Sequence, residues 1–325
     1  MVVHSFTSNS ETAMKKGLKR FGVIILAVLA TAAILDLVVG KTIDKMLPQI
    51  SNIGNVGKTY FSLNEVNASV VIVGSSRAAH HYETEMIEDS LGMPAYNVGR
   101  DGCFFSYNCC VVNSILDRYS PELIIWENGR DYLSKLERDP IEAIYPYYKT
   151  NRWATEIIEK ESSWSERIRL CSRSYRYNST VHQIIRAFIT RHKFKVETLK
   201  GYLPLSPKNL REPIELKREP IEGEELNQVN IDLFRATLNR AKSKGVKMVV
   251  VDSPEYRIRN DKCLSMETML NICNEYGIIF INNSQSSYFL DNPELFDDAM
   301  HLNDDGAKVY TSLFLSQIKD YVEYE

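Results

Sequence analysis

The sequence has 325 residues, of which 44% are hydrophobic and 25% are charged, and its formal net charge is −3. This length allows one large domain or two modest ones, with enough chain for an extensive buried core. The composition is typical of an ordinary globular protein. The nearly balanced charge gives no support for a nucleic-acid-binding protein.

Residues 21–40 form the one strongly apolar segment, which is interrupted only by Asp36. Twenty helical residues span about 30 Å, the thickness of one hydrocarbon core. The basic residues cluster on its N-terminal side: Lys15, Lys16, Lys19 and Arg20. The positive-inside bias predicts a single-pass membrane anchor with residues 1–20 in the cytoplasm and the main domain outside, in the periplasm or at the cell surface. A cleaved signal peptide, indicated by Ala30-Thr31-Ala32, and a buried core helix are the alternatives.

After a predicted linker at 41–67, residues 68–325 alternate short apolar strands with amphipathic helices. We predict strands at 70–73, 95–98, 122–126, 246–251 and 277–281 and helices at 82–91, 104–116, 224–244, 265–276 and 305–321. This alternation indicates an α/β fold whose parallel sheet is covered by helices on both faces. Ligands bind at the carboxyl ends of the strands in such sheets. Four segments are expected there: 74–76, 99–102, 127–131 and 252–254.

A serine-containing turn and an acid–histidine pair supply the parts of a serine hydrolase. Gly74-Ser75-Ser76-Arg77 follows the first strand, and Asp298-Ala299-Met300-His301 lies near the C-terminus. A nucleophilic hydroxyl needs an imidazole to take its proton and a carboxylate to orient that imidazole. We predict Ser76, His301 and Asp298 in these roles, with Ser75 as the alternative nucleophile. A turn and helix cap without a catalytic role is the alternative for the serine segment.

Other reaction classes have little support. The sequence lacks Gly-x-Ser-x-Gly, the nucleophile turn of α/β-hydrolases, and it contains neither Gly-x-Gly-x-x-Gly nor a P-loop. The six cysteines include no Cys-x-x-Cys pair, so we expect no metal and no cofactor. One or two disulfides, or small core side chains, are the open interpretations of these cysteines. We expect His80 and His81 to line the cleft or the surface.

The serine and Asp-x-x-His segments resemble those of the SGNH (GDSL-like) hydrolase superfamily, over about residues 68–132 and 223–322. They are most similar to its membrane-anchored branch, which includes bacterial polysaccharide O-acetylation and D-alanyl-lipoteichoic acid transfer proteins. The resemblance implies a three-layer α/β/α flavodoxin-like domain with Ser76, His301 and Asp298 as the triad. It also implies that the backbone amides of Ser76 and Gly102 form part of an oxyanion hole.

The third block of the family pattern, Gly-x-Asn, differs in this chain. The sequence here is Glu127-Asn128-Gly129-Arg130-Asp131. Spacing from Gly129 places Asp131 where the family has an asparagine, and an ionised carboxylate there would repel an oxyanion. Asn128 is the alternative donor, and Arg130 is a positively charged one.

Residues 132–223 are predicted to be a mainly helical insertion that forms a lid or substrate platform at the carboxyl side of the sheet. Its centre is rich in cations and aromatic rings: Arg167, Arg169, Arg173, Arg176, Arg186, Arg191, Lys193 and Lys195, with Trp164, Tyr175, Tyr177 and Phe188. This composition predicts a surface for an anionic polymer, phospholipid headgroups or a membrane interface. A solvated helical face paired with acids elsewhere is the alternative.

We therefore expect a membrane-anchored serine acyltransferase or acyl esterase that acts on a cell-surface or secreted glycan. Its partners would be a glycan acceptor, an acyl donor and, by the resemblance, a multi-span membrane acyltransferase, with no nucleic acid. The alternative is a catalytically inactive SGNH-like protein that binds glycan or is a scaffold in a membrane acylation assembly.

Overall fold

The computed structural model describes residues 4–129, 132–135, 140–193, 199–206, 214–215, 224–259 and 263–323. Seven strands occur in these ranges: β1 (Val70–Val73), β2 (Ala95–Asn97), β3 (Leu123–Glu127), β4 (Ile214–Glu215), β5 (Lys247–Asp252), β6 (Arg257–Ile258) and β7 (Ile279–Asn282). Five of them form a parallel sheet in the order β2-β1-β3-β5-β7, and β4 pairs with β6 in a separate short ribbon. The five-stranded order is that of a flavodoxin-like doubly wound sheet.

Twelve α-helices accompany these strands in the described part of the chain. They are α1 (His4–Asp44), α2 (Gly54–Asn64), α3 (Ser76–His81), α4 (Thr84–Leu91), α5 (Phe105–Arg118), α6 (Arg152–Glu161), α7 (Trp164–Arg169), α8 (Val181–Thr190), α9 (Gln228–Ser243), α10 (Leu264–Tyr276), α11 (Ser287–Leu290) and α12 (Asp304–Glu323). Short 3₁₀ helices occur at Leu47–Ile50, Ile141–Tyr147, Tyr175–Tyr177, Arg191–Lys193 and Pro293–Leu295.

Both faces of the sheet are buried, because alternate residues of each strand enter two different cores. In β1, Val71 and Val73 pack with α5, α9 and α10, whereas Val70 and Ile72 pack with α3, α4 and α12. Continuous apolar strands are expected where helices cover both sides of a parallel sheet. The predicted three-layer α/β/α fold is therefore confirmed.

The predicted strands and helices are present with small shifts at their ends, and the helix predicted at 82–91 is α4, which is preceded by a short helix, α3, that was not predicted. The chain turns at Tyr82 and Glu83, between α3 and α4. Glu83 caps α4 by accepting hydrogen bonds from the backbone N–H groups of Glu85 and Met86. Helix α3, which starts at Ser76, therefore ends after only six residues, before the turn that leads into α4.

The insertion at 132–223 contributes α6, α7 and α8 in its described part. The segment 41–67, predicted as a linker, contains α2, which packs against α5 and α8. Helix α1 is 41 residues long, and it is the one described helix long and apolar enough to cross a membrane. None of its most apolar window is buried inside the protein.

Candidate active site

Ser76 is placed at the carboxyl end of β1 by a glycine that no other residue could replace. Gly74 has φ 155°, and a Cβ atom there would lie 2.8 Å from the backbone oxygen of Glu127 on the neighbouring strand. Only glycine tolerates this backbone conformation at such close range. The chain then turns directly into α3, whose first residue is Ser76.

The Asp298–His301 segment builds an acid–histidine pair within one turn. The Oδ1 atom of Asp298 accepts hydrogen bonds from the backbone N–H groups of Met300 (2.7 Å) and His301 (2.9 Å). Both carboxylate oxygens also lie 2.9 Å from Nδ1 of His301. The Asp-x-x-His spacing is therefore sufficient to orient the imidazole by local contacts.

Tertiary folding brings this pair to Ser76. The Oγ atom of Ser76 lies 2.8 Å from Nε2 of His301. Because Nδ1 faces a carboxylate, the proton of a neutral ring is held on Nδ1, which leaves Nε2 to accept the serine proton. The three predicted triad residues thus form one continuous hydrogen-bonded chain. Ser75, the alternative nucleophile, is instead the buried N-cap residue of α3.

Opposing effects act on the Asp298 carboxyl. Partial burial raises its pKa, but hydrogen bonds from the His301 ring and from the Met300 amide lower it more strongly, to about 2. Asp298 is therefore a carboxylate at neutral pH, as the orienting acid of a triad must be. Its side chain is 53% exposed, so water screens its charge.

Beneath Ser76 lies a buried charge network that we name the Arg77 cluster: Arg77, Glu127, Asp252, Glu255 and Arg259. The Arg77 guanidinium lies 3.1 Å from Glu127, 2.7 Å from Asp252 and 3.0 Å from Glu255. Glu255 is also 2.5 Å from Arg259. The cluster joins the carboxyl ends of β1, β3 and β5, the three central strands of the sheet.

Burial sets the proton affinity of this cluster. It raises the pKa of Glu127 to about 7 against the lowering effect of Arg77, and it also raises the pKa of Asp252. Burial alone would lower the pKa of Arg77, but the surrounding carboxylates raise it well above its ordinary value. Two guanidinium groups face three buried carboxyl groups, and burial thereby favours the protonated form of Glu127 up to about pH 7.

His81 connects this network to the histidine of the triad. Its Nε2 accepts a hydrogen bond from the backbone N–H of Leu302 (3.0 Å), next to His301. Its Nδ1 therefore carries the proton and donates to Oγ of Ser253 (2.8 Å), which donates in turn to Glu127 (2.9 Å). Burial, followed by the charge of Arg77, keeps the pKa of His81 well below its ordinary value. A neutral His81 thus fixes the backbone next to His301 through its hydrogen bond with Leu302.

The loop that carries Gly102 lies beside the triad. The backbone N–H of Arg100 donates to the carbonyl of Gly74 (3.0 Å), and the Asp101 carboxylate lies 3.4 Å from Nε2 of His80. The ring of His80 meets that of His301 edge-on, at 5.5 Å between centroids. Gly102 itself is exposed in a left-handed turn, with φ 65°. The second predicted block thus lies beside the proposed triad.

Asn128 is a buried amide with an unusual environment. Its backbone is held by Val251, which accepts its N–H (2.7 Å), and by Arg77, which donates to its carbonyl (2.9 Å). Its side chain is buried, and neither polar atom has a hydrogen-bond partner in the described ranges. Buried amides are normally hydrogen-bonded, so the Asn128 side chain has donor and acceptor capacity that no described residue uses. Asp131 and Arg130, the other predicted oxyanion-hole residues, lie outside the described residues.

The returning end of the insertion also borders the site. The carbonyl of Leu203 lies 2.6 Å from Nδ1 of His80, and its N–H donates to the carbonyl of Ala79 (2.8 Å). Gly201 has φ 89°, and a Cβ atom there would lie 1.8 Å from the carbonyl oxygen of Asn97. Gly201 and Leu203 are therefore packed closely against β2 and α3, beside His80.

The Arg77 cluster and the contact of His81 with Leu302 were not predicted from the sequence. One available signal was the pair of acids at the ends of apolar strands, Glu127 and Asp252, since buried acids require a cation. The six cysteines, which all lie in described ranges, form no disulfide, and all but Cys171 are buried. Among the described residues, no group of three or more His, Cys, Asp or Glu side chains is arranged to hold a metal ion.

No protein-family profile and no protein of curated function matches the sequence. Among solved structures, the chain is similar to the Bacillus subtilis protein YxiM (12% identity, TM-score 0.42), over 80% of this chain and 58% of that one. It is also similar to a lipase/acylhydrolase from Enterococcus faecalis (8%, TM-score 0.37, 78% and 96% covered) and to TesA (9%, TM-score 0.38, 77% and 97% covered). This chain thus spans less than two thirds of the length of YxiM. At these identities and TM-scores the similarity does not assign a function to this chain.

Proposed function

We propose that this protein is a serine-dependent acyl-transfer enzyme, an O-acyltransferase or acyl esterase, held outside a membrane by α1. The observation that carries the proposal is the hydrogen-bonded chain from Ser76 Oγ through His301 to Asp298, with contacts of 2.8 and 2.9 Å. Such a chain activates a hydroxyl for attack on an acyl carbonyl.

In the proposed reaction, Ser76 Oγ attacks the carbonyl carbon of an acyl ester while its proton passes to Nε2 of His301. The tetrahedral intermediate then expels the donor alcohol, which takes the proton back from His301. The acyl group, now esterified to Ser76, passes by the reverse sequence to a sugar hydroxyl or to water. Asp298 orients the imidazole and stabilises the imidazolium that forms in each half-reaction.

The oxyanion of the intermediate needs donors that are already in place. We assign the backbone amides of Ser76 and Gly102, as the sequence resemblance implies, together with the side-chain amide of Asn128. The support for Asn128 is its buried amide, directly after β3, for which none of the described residues supplies a hydrogen-bond partner. An amide donor at this position would stabilise the oxyanion, whereas an ionised carboxylate would repel it.

The glycan substrate and the membrane assembly belong to the proposal on the strength of the sequence resemblance. The basic residues before α1's apolar stretch support an N-terminus in the cytoplasm and a main domain outside. There the enzyme would receive its acyl group through a multi-span membrane acyltransferase and transfer it to a cell-surface or secreted glycan. Anchoring both partners in one membrane raises their effective concentration.

The test is labelling of the full-length protein with a fluorophosphonate probe, which reacts with activated serines. We expect the wild type to be labelled and Ser76→Ala and His301→Ala to be unlabelled. Ser75→Ala is the matched control, and it should keep its labelling because Ser75 does not contact His301. A folded wild type that stays unlabelled would instead favour a catalytically inactive glycan-binding or scaffold protein.

Transferase and esterase activities are separated by the fate of the acyl group. Incubation of the labelling-competent protein with a nitrophenyl ester and a glycan acceptor gives acylated glycan in the first case and only free acid in the second. Mass spectrometry of the glycan decides between them.

A further inference from the structure

The insertion is fastened to the outer end of α1 by Asp36, the acid within the apolar segment. The carboxylate of Asp36 accepts hydrogen bonds from the Ser172 hydroxyl (2.6 Å) and from the backbone N–H groups of Arg173 (2.8 Å) and Ser174 (2.9 Å). The Arg173 guanidinium also pairs with Asp44 at 2.7 Å. The loop 172–174 is therefore fixed at a defined level along the helix.

Asp36, to which the loop 172–174 is bound, lies within the apolar part of α1. Leu37, Val38 and Val39, which follow Asp36 directly, are 44%, 56% and 46% exposed. A bilayer that covers these side chains reaches the loop 172–174, because the two lie on the same turn of the helix. The insertion must then meet the membrane surface close to this loop.

The helices on either side of the loop expose apolar side chains. We name as the interfacial surface the residues Trp164 and Ile168 of α7 with Ile185, Arg186 and Ile189 of α8. Its apolar members are 71%, 49%, 44% and 68% exposed in that chain order. Soluble surfaces rarely present such side chains in groups.

Helix α8 is held near the membrane by its opposite face. Ile184 is buried with Ile43 and Leu47 beyond the end of the apolar segment. Ile43 lies seven residues after Asp36, which is about 10 Å along the helix axis. This distance is comparable to the depth of the headgroup layer, where amphipathic helices bind.

The charge along residues 163–193 is predominantly positive. Glu166 is the only acidic residue between Ser163 and Lys193, against seven arginines and lysines. Arg186 and Lys193 are exposed on and beside α8. Cations beside isoleucine and tryptophan match the anionic headgroups and upper acyl chains of a phospholipid bilayer.

We propose that the interfacial surface binds the anionic phospholipid bilayer that α1 crosses, so that the domain is held against the membrane at a fixed orientation. This inference rests on the proposed membrane anchoring, and it is independent of the proposed reaction. The Asp36 contacts fix the domain to the anchor, and the interfacial surface fixes it to the lipid. Together they allow only a narrow range of tilts between the sheet and the membrane.

The test uses tryptophan fluorescence of the full-length protein in vesicles of phosphatidylglycerol and phosphatidylcholine, the latter brominated near the carboxyl end of its acyl chains. Bromine quenches tryptophans that reach the upper hydrocarbon layer. We expect quenching that is lost in Trp164→Phe, because Trp126 is fully buried and Trp153 is partly buried and donates to Asp117. Equal quenching of wild type and Trp164→Phe would overturn the proposal.

A second variant separates this result from a failure of the anchor. Leu29→Trp, made in the Trp164→Phe background, places a reporter in the middle of the apolar segment. We expect strong quenching of this reporter by lipid brominated near the methyl end of its chains. If Leu29→Trp is quenched and Trp164 is not, α1 crosses the membrane but the proposal that the interfacial surface binds lipid is wrong. If Leu29→Trp is not quenched, both are wrong, while fluorophosphonate labelling still tests the reaction.

The electrostatic part is tested by reversing charge. Arg186→Glu with Lys193→Glu should lower the quenching of Trp164 by about twofold or more in vesicles that contain phosphatidylglycerol. Lys244→Glu, after α9, makes the same type of change outside the surface and should have no effect. If the quenching of Trp164 is unchanged both by the charge reversal and by the removal of phosphatidylglycerol, the preference for anionic lipid is contradicted.

Discussion

Ser76 and Arg77 are neighbours in sequence, but they belong to two regions with opposite physical character. Ser76 contacts His301 and, through it, Asp298, whose side chains are 21% and 53% exposed. Arg77 contacts Glu127 and Asp252, whose side chains are 1% and 2% exposed. Two consecutive residues of α3 thus belong to a partly exposed triad and to a buried charge cluster.

The difference means that solvent reaches the proposed triad, whereas the residue directly after Ser76 is held by buried ion pairs. Charges in the triad are screened by water, so its geometry contributes little to stability. Charges in the Arg77 cluster have lost their hydration and depend on one another. We therefore expect substitutions in the first region to change activity and substitutions in the second to change stability.

The largest expected effect is on activity. His301→Gln removes the base that accepts the Ser76 proton, and it should lower ester hydrolysis on the order of 10⁴-fold. Its free energy of unfolding should stay within about 1 kcal/mol of the wild type, because the side chain is only partly buried. Turnover of a nitrophenyl ester and urea titration measure the two quantities. A large loss of stability would break the contrast between the regions.

The next largest effect is on stability. Arg77→Met leaves Glu127, Asp252 and Glu255 without their shared cation, and it should lower the free energy of unfolding by about 3–5 kcal/mol. The matched control is Arg235→Met on α9, which loses an exposed ion pair with Glu275. That control should lose less than about 1 kcal/mol. Similar urea midpoints for the two variants would show that the Arg77 cluster does not contribute the expected amount to the free energy of unfolding.

A moderate effect is expected at the orienting acid. Asp298→Asn should lower turnover on the order of 10²-fold, because water screens the carboxylate that it replaces. The wild-type pKa is lowered to about 2, so stabilisation by the charged form is present above the unfolded value and is lost only as pH falls through about 2. The carboxyl ¹³C resonance of Asp298, followed by NMR against pH, should therefore show no titration near pH 3.8, the ordinary value for this carboxyl. A titration there would mean that the contact with His301 is lost in solution.

The smallest effect concerns the pH dependence of stability. The pKa of Glu127 is raised from 4.5 to about 7, so between these values the folded protein keeps a proton that the unfolded chain has released. The free energy of unfolding should fall as pH rises through this window, on the order of 2 kcal/mol. Glu127→Gln should remove most of this slope in urea titrations at several pH values.

Glu122→Gln is the matched control, because Glu122 is exposed directly before the same strand. It should keep the wild-type slope. Parallel slopes for all three proteins would show that Glu127 is not the group that takes up the proton.

The sequence predicted much of the fold because its strands are continuous apolar runs bounded by polar turns. Val70–Val73 and Lys247–Asp252 lie within one residue of their predicted bounds. Helix α3 was not predicted, because its six residues are too few to show a helical hydrophobic period. The proposed roles of Ser76, His301 and Asp298 in catalysis stay predictions, although the three side chains are in contact.

The sequence by itself determined the elements whose contacts are local. Asp298 and His301 are three residues apart, and one turn is enough to join their side chains. The apolar stretch of α1 is likewise a property of consecutive residues. Only the tertiary structure decided that Ser76, and not Ser75, meets His301 across 225 positions of sequence. It alone also gathered Arg77 with its three carboxyl partners, because such contacts depend on which strands become neighbours in the sheet.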